Sequence, residues 1–121
     1  QVGKRFGIIC HTIHKTVKDS GFSLIDKYGG HGIDYDKPHA SPFVSNKSSP
    51  SEGIRFDKNM SFAIEPMLVV GNSSETYVAS DGWTVMSKNI GCHFEHSIFI
   101  DENEKVHIIT EHGINYENNS K

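Results

Sequence analysis

Met60-Ser61-Phe62-Ala63-Ile64-Glu65-Pro66-Met67-Leu68-Val69-Val70 is the stretch on which the fold turns. Phe62, Ile64, Met67, Val69 and Val70 give it the composition of a buried strand. Two residues break the pattern. Glu65 sets a carboxylate in the middle of an apolar run, and such a group needs a partner to offset its desolvation. Pro66 lacks an N–H, so it marks an edge, a bulge or a break in pairing. The plain alternative is a glutamate on the exposed face of a half-buried strand.

Upstream, residues 2–19 carry Phe6, Ile9, Ile13 and Val17 at three- and four-residue steps, one apolar helix stripe. Gly21 suits the left-handed residue that closes such a helix. Residues 22–28 read as a strand, and Gly29-Gly30-His31-Gly32 as a tight loop. Residues 34–50, with Pro38, Pro42 and Pro50, read as an ordered surface loop in which Phe43 and Val44 need burial. Residues 49–59 are polar and lead into the central run. Downstream, residues 71–80 read as an irregular crossing. Residues 83–86, 92–100 and 106–110 read as strands, the last two joined by a polar turn at 101–105. The residues after Glu111 are polar and are expected to fray. The sum is a single α+β domain over 1–121, one N-terminal helix packed on a mainly antiparallel sheet.

Composition narrows the function. A chain of 121 residues with 36% hydrophobic and 22% charged residues builds a modest core and is neither disordered nor membranous. No apolar run is long enough to span a bilayer. A net charge of -3 without clustered Lys or Arg argues against nucleic-acid binding. Cys10 and Cys92 lie outside any CxxC motif and read as reduced thiols of a cytoplasmic protein. The triplets at Asn46, Asn72 and Asn118 read as loops. The chain opens at Gln1 and runs almost at once into a helix pattern, as a fragment or processed piece would.

Three segments share one chemistry: Gly30-His31-Gly32-Ile33, Ile64-Glu65-Pro66-Met67 and Phe94-Glu95-His96-Ser97. Each carries a side chain able to ligate a metal, and one imidazole with two carboxylates suits a hard or borderline divalent ion. His31 alone is compatible with a solvated loop, and Glu95 has the same two readings as Glu65. Other candidates are weaker. His11 and His14 lie three apart on the wet face of the helix. His107 and His112 read as surface residues. The glycine loop lacks the following helix that a phosphate cradle needs. Cys92, near His93 and His96, has no turn context for a nucleophile.

The order Gly-His-Gly-Ile, then His39, then Met-Ser-Phe-Ala-Ile-Glu-Pro-Met, Asp-Gly-Trp-Thr-Val and Phe-Glu-His-Ser resembles the C-terminal half of the methionine aminopeptidases. Those are metallopeptidases with the pita-bread fold, and the resemblance covers nearly the whole chain. It implies two divalent metal ions (Co, Mn, Fe or Zn), with His31 and Glu65 as ligands of one and Glu95 bridging both. It implies that His39 contacts the scissile amide, that Trp83 lines the methionine pocket and that Glu65 also moves a proton. Such ions lower the pKa of water and polarise a carbonyl. Ile-Glu-Pro-Met and Asp-Gly-Trp favour methionine aminopeptidases over prolidases, which carry Glu-Pro-Gly there.

The sequence departs from that pattern at Asp34, in place of glycine, and at His39, one residue later than usual. Ala40 replaces a common glutamate and His93 a common glutamine, which points to a divergent branch with an altered loop. The resemblance also implies two aspartate ligands and a histidine upstream of Gln1. Without them the chain is expected to bind metal weakly, to be inactive alone, and to self-associate or pair with the missing half. The substrate implied is the N-terminus of a nascent protein. An X-Pro aminopeptidase and a non-catalytic pita-bread binding module are the alternatives.

Overall fold

The structure, a computed structural model, describes residues 1–111. Among them the helix α1 (Gly7–Asp19) is followed by strands β1 (Phe22–Leu24), β2 (Gly29–Asp34), β3 (Lys37–Ser45), β4 (Met60–Ile64), β5 (Met67–Val70), β6 (Thr76–Val78), β7 (Val85–Ser87), β8 (Gly91–His93), β9 (His96–Ile100) and β10 (Val106–Ile108). A five-stranded sheet has the order β10-β9-β4-β2-β3, a three-stranded sheet the order β1-β5-β8, and β6 pairs with β7. Every strand pairing is antiparallel, as expected for the α+β class. No helix among the described residues is long and apolar enough to cross a membrane.

The helix begins at Gly7 rather than residue 2. Gly3 adopts a positive φ of 81°, and the N–H groups of Gly3 and Phe6 donate to Phe56 and Ile54 carbonyls at 2.9 Å. That opening segment is therefore committed to a neighbouring chain segment before the helix starts. Gly21, at φ 77°, closes the helix as anticipated, its N–H reaching the Lys18 carbonyl at 3.5 Å. Phe6 and Val17 are buried and Ile9 and Ile13 partly so. Phe6 stacks on Phe56, centroids 4.2 Å apart, and meets Phe62 edge-on at 4.9 Å. With Val44, Ile98 and Ile100 these rings form the main core.

The largest correction concerns residues 29–45. They form a hairpin of paired strands, not a tight loop followed by a surface loop. The glycines serve close approach rather than a turn. A Cβ on Gly30 would lie 2.0 Å from the Ala63 carbonyl oxygen, and one on Gly32 would lie 2.0 Å from that of Ser41. Val44 is buried, but Phe43 is largely exposed. The strand foreseen over 22–28 is limited to β1. The crossing at 71–80 contains β6. Trp83 precedes its strand and sits in the β6–β7 turn, where Asp81 Oδ1 accepts the N–H groups of Trp83 and Thr84 at 2.9 Å. The residues expected to fray include 112–121, which lie outside the described residues, as does His112.

Pro66 does break the pairing. The run 60–70 divides into β4 and β5, and the run 92–100 divides into β8 and β9. β4 pairs with β9 in the larger sheet, while β5 pairs with β8 in the smaller one. A single antiparallel ribbon thus crosses from one sheet to the other. Its register is unbroken: Ile64 faces His96 on one side of the crossing and Met67 faces His93 on the other. The residues between them therefore set Glu65 opposite Glu95 and Pro66 opposite Phe94. The Phe94 N–H donates to the Pro66 carbonyl at 3.4 Å.

Candidate metal centre

Glu65 is the hub of the candidate site. It is buried at the sheet crossing, its side chain 11% exposed. Oε1 lies 3.5 Å from His31 Nε2, and Oε2 lies 3.1 Å from His93 Nε2. A donor oxygen of Glu95 falls in the same cluster, with the ligand atoms of Glu65, His93 and Glu95 all within 4.8 Å of one another. His39 places its ring 4.2 Å from that of His31, tilted by 46°. Strand β2 and the crossing ribbon therefore converge on one carboxylate, with His39 of β3 beside His31.

Each local sequence explains its placement. His31 is held by glycines that let β2 press against β4 and β3. Its Nδ1 lies 3.0 Å from the Gly32 carbonyl oxygen. That oxygen can only accept, so Nδ1 carries a proton and Nε2 is the ring atom that faces Glu65. A ring nitrogen and a carboxylate oxygen brought this close call for a cation or a proton between them. Glu65 and Glu95, directly opposite on adjacent strands, are like charges that repel unless neutralised. These residues fit a divalent metal ion on both counts. Glu95 is itself exposed at the open side of the cluster.

The backbone of Glu65 is fixed by Asn46, which is 1% exposed. Asn46 Nδ2 donates to the Glu65 carbonyl at 3.1 Å and to the Tyr28 carbonyl at 3.2 Å. This side chain ties the segment after β3 to the crossing, and its amide is spent on those bonds. Sequence reasoning passed over it as a loop residue. It also passed over His93 as a partner of Glu65. The spacing His93-x-Glu95 on a strand, which puts both on one face, was the available signal.

Other residues stand apart. His96 turns away from the cluster, its Nδ1 3.0 Å from Thr110 Oγ1. His107 pairs with Asp101 at 2.8 Å rather than lying free on the surface. Trp83 is 87% exposed. Cys10 is buried and Cys92 exposed, and both are free thiols. Burial pushes the Cys10 thiol above its ordinary pKa.

The chain is similar to known proteins over most of its length. Residues 1–102 match the model of metallopeptidase family M24. The chain is 42% identical over 113 residues to a methionine aminopeptidase of Aquifex aeolicus, covering 90% of this chain and 43% of that relative. It is 40% identical over 100 residues to one of Mycoplasma capricolum, covering 81% of this chain and 39% of the relative. The crystal structure of methionine aminopeptidase from Thermotoga maritima superposes with a TM-score of 0.84 at 36% identity. It covers 93% of this chain and 45% of that one. The Rickettsia prowazekii enzyme gives the same TM-score at 29% identity, covering 92% of this chain and 45% of that one. The chain thus spans less than half the length of these relatives.

Proposed function

Because the chain belongs to metallopeptidase family M24, we propose that it forms part of a metal-dependent methionine aminopeptidase that removes the N-terminal methionine of nascent proteins. Its fold is the pita-bread fold of that family, and these residues supply the second half of the catalytic domain. The observation that carries the reading is the buried Glu65 carboxylate, each oxygen facing an imidazole nitrogen, with a second glutamate opposite.

His31, Glu65 and Glu95 would hold divalent ions of the Co, Mn, Fe or Zn type. Such ions, when bound, supply an activated water and a polarised substrate carbonyl. The chain's own residues do the rest. Glu65 accepts and returns a proton at the reacting centre, its carboxylate kept in place by Asn46 through the backbone. His39, exposed and tilted against the His31 ring, donates a hydrogen bond to the scissile amide. Trp83, exposed on the β6–β7 turn, covers the methionine side chain of the substrate.

The remaining ligands come from the preceding half of the domain, so these residues alone are inactive. Release of methionine from Met-Ala-Ser with added Mn or Co tests this. The chain alone releases none. Joined to the N-terminal half of the Aquifex aeolicus relative, it releases methionine and leaves X-Pro peptides intact. Glu65→Gln in that assembly lowers the rate at least 100-fold. Cleavage of X-Pro peptides instead would move the assignment to a prolidase-like enzyme. A folded assembly that cleaves neither substrate would leave the binding module.

A further inference from the structure

We propose that His93 is itself a metal ligand. With His31, Glu65 and Glu95 it makes a four-donor site for one divalent cation contained wholly in this chain. The inference rests on the metal-site reading above and extends it, since weak binding was expected from a count of three donors.

The ribbon geometry carries the argument. Residues at alternate positions of a strand share a face. His93 and Glu95 therefore point to the same side, the side on which Glu65 stands opposite Glu95. His93 is the diagonal neighbour of Glu65 across the ribbon, and its Nε2 reaches Oε2 at 3.1 Å. On the other side of the same carboxylate His31 Nε2 lies 3.5 Å from Oε1. Donors bound tetrahedrally at about 2.1 Å lie roughly 3.4 Å from one another. The two spacings to Glu65 bracket that value, the donors of Glu65, His93 and Glu95 already lie within 4.8 Å of one another, and rotation of the His31 ring toward them completes the set.

Charge points the same way. The two glutamates are paired across adjacent strands, with no lysine or arginine among their ion-pair partners in the described residues. The imidazole of His31 has its other nitrogen committed to a carbonyl. A divalent cation satisfies both carboxylates and both Nε2 lone pairs at once. Two imidazoles with two carboxylates select zinc, cobalt, nickel or copper over magnesium and calcium, which prefer all-oxygen shells.

The test uses Zn2+ and Co2+ as probes on the 121-residue chain. Calorimetry is expected to give one ion per chain, and cobalt a visible band of low-coordinate type. His93→Gln, at a half-exposed position that tolerates the change, is expected to weaken binding at least tenfold and to shift the band. Unchanged affinity and spectrum in that variant overturn the proposal, because His93 is then only a hydrogen-bond partner of Glu65. Absence of binding by the unsubstituted chain overturns it too. Imidazole 15N resonances of the unsubstituted chain add a measurement free of any substitution: zinc should move both His31 and His93, and a shift of His31 alone counts against the site. Neither readout needs turnover. If the joined enzyme cleaves Met-Ala-Ser while His93→Gln binds cobalt as before, only this inference fails. If His93→Gln loses cobalt and the joined enzyme is inert, only the peptidase reading fails.

Discussion

Glu65 shows how much one residue can reveal. A carboxylate beside a proline in an apolar run was conspicuous in the sequence, and the structure buries it among imidazoles. Asn46 was not conspicuous, since its neighbours Lys47 and Ser48 are ordinary loop residues. Its importance follows from two carbonyls that meet only in the folded chain. Asn46→Ala removes both hydrogen bonds, one of them buried and the other partly so. A loss of about 2–3 kcal/mol is expected, measured as a lower urea midpoint. The thiols give a second expectation at this scale. Cys92 should react with a thiol reagent in the native protein, whereas Cys10, buried and with its pKa raised by burial, should react only after denaturation. Two native thiols titrating at equal rates would contradict the burial of Cys10.

Among the elements, the helix and the central strands were legible because their apolar periodicity is local. The β2–β3 hairpin was not. Three glycines and two prolines spaced through residues 29–42 read as turn chemistry when the glycines serve close strand contact, and contact with Ala63 or Ser41 is not visible in linear order. Gly30→Ala or Gly32→Ala should therefore destabilise by about 2–3 kcal/mol through forced backbone movement. Gly21→Ala, where φ is positive but no atom lies within 4 Å, should cost about 1 kcal/mol. Equal effects at the three positions would refute the steric account.

The β9–β10 turn adds a pH dependence. Asp101 Oδ2 accepts from His107 Nε2 at 2.8 Å, and Oδ1 accepts from the N–H groups of Asn103 and Lys105 at 2.9 Å. The His107 bond first, and the Lys105 N–H next, hold this carboxyl below its ordinary value of 3.8. A pKa lowered on folding contributes stability that is whole above the ordinary value and is lost as the pH falls through the folded one. Asp101→Asn should thus melt below the parent at neutral pH, with the gap closing as the pH drops below 3.8. A gap independent of pH would show that Asp101 stabilises the turn without its charge.

At the scale of the whole molecule, the described residues leave apolar surface uncovered. A groove of about 420 Å³ is lined by Ile8, Ile9, Ile64, Ile98, Val106 and Ile108 beside the helix start. Ile8, Val106 and Ile108 are each at least two-fifths exposed. Contiguous apolar surface of this kind marks a contact face, which fits a chain that spans less than half of its relatives. The expected outcome in sedimentation is a mass that rises with concentration for the chain alone. A well-folded monomer across the whole dilution range would count against it.

The ribbon that changes sheets carries a mechanical consequence. Its two acidic residues sit on the seam, so anything that neutralises them rivets one sheet to the other. Site occupancy and cohesion of the two sheets then become one thermodynamic quantity. Stripping the seam with a chelator should let the sheets shear apart along it, and a protease would cut first in the short segments that cross.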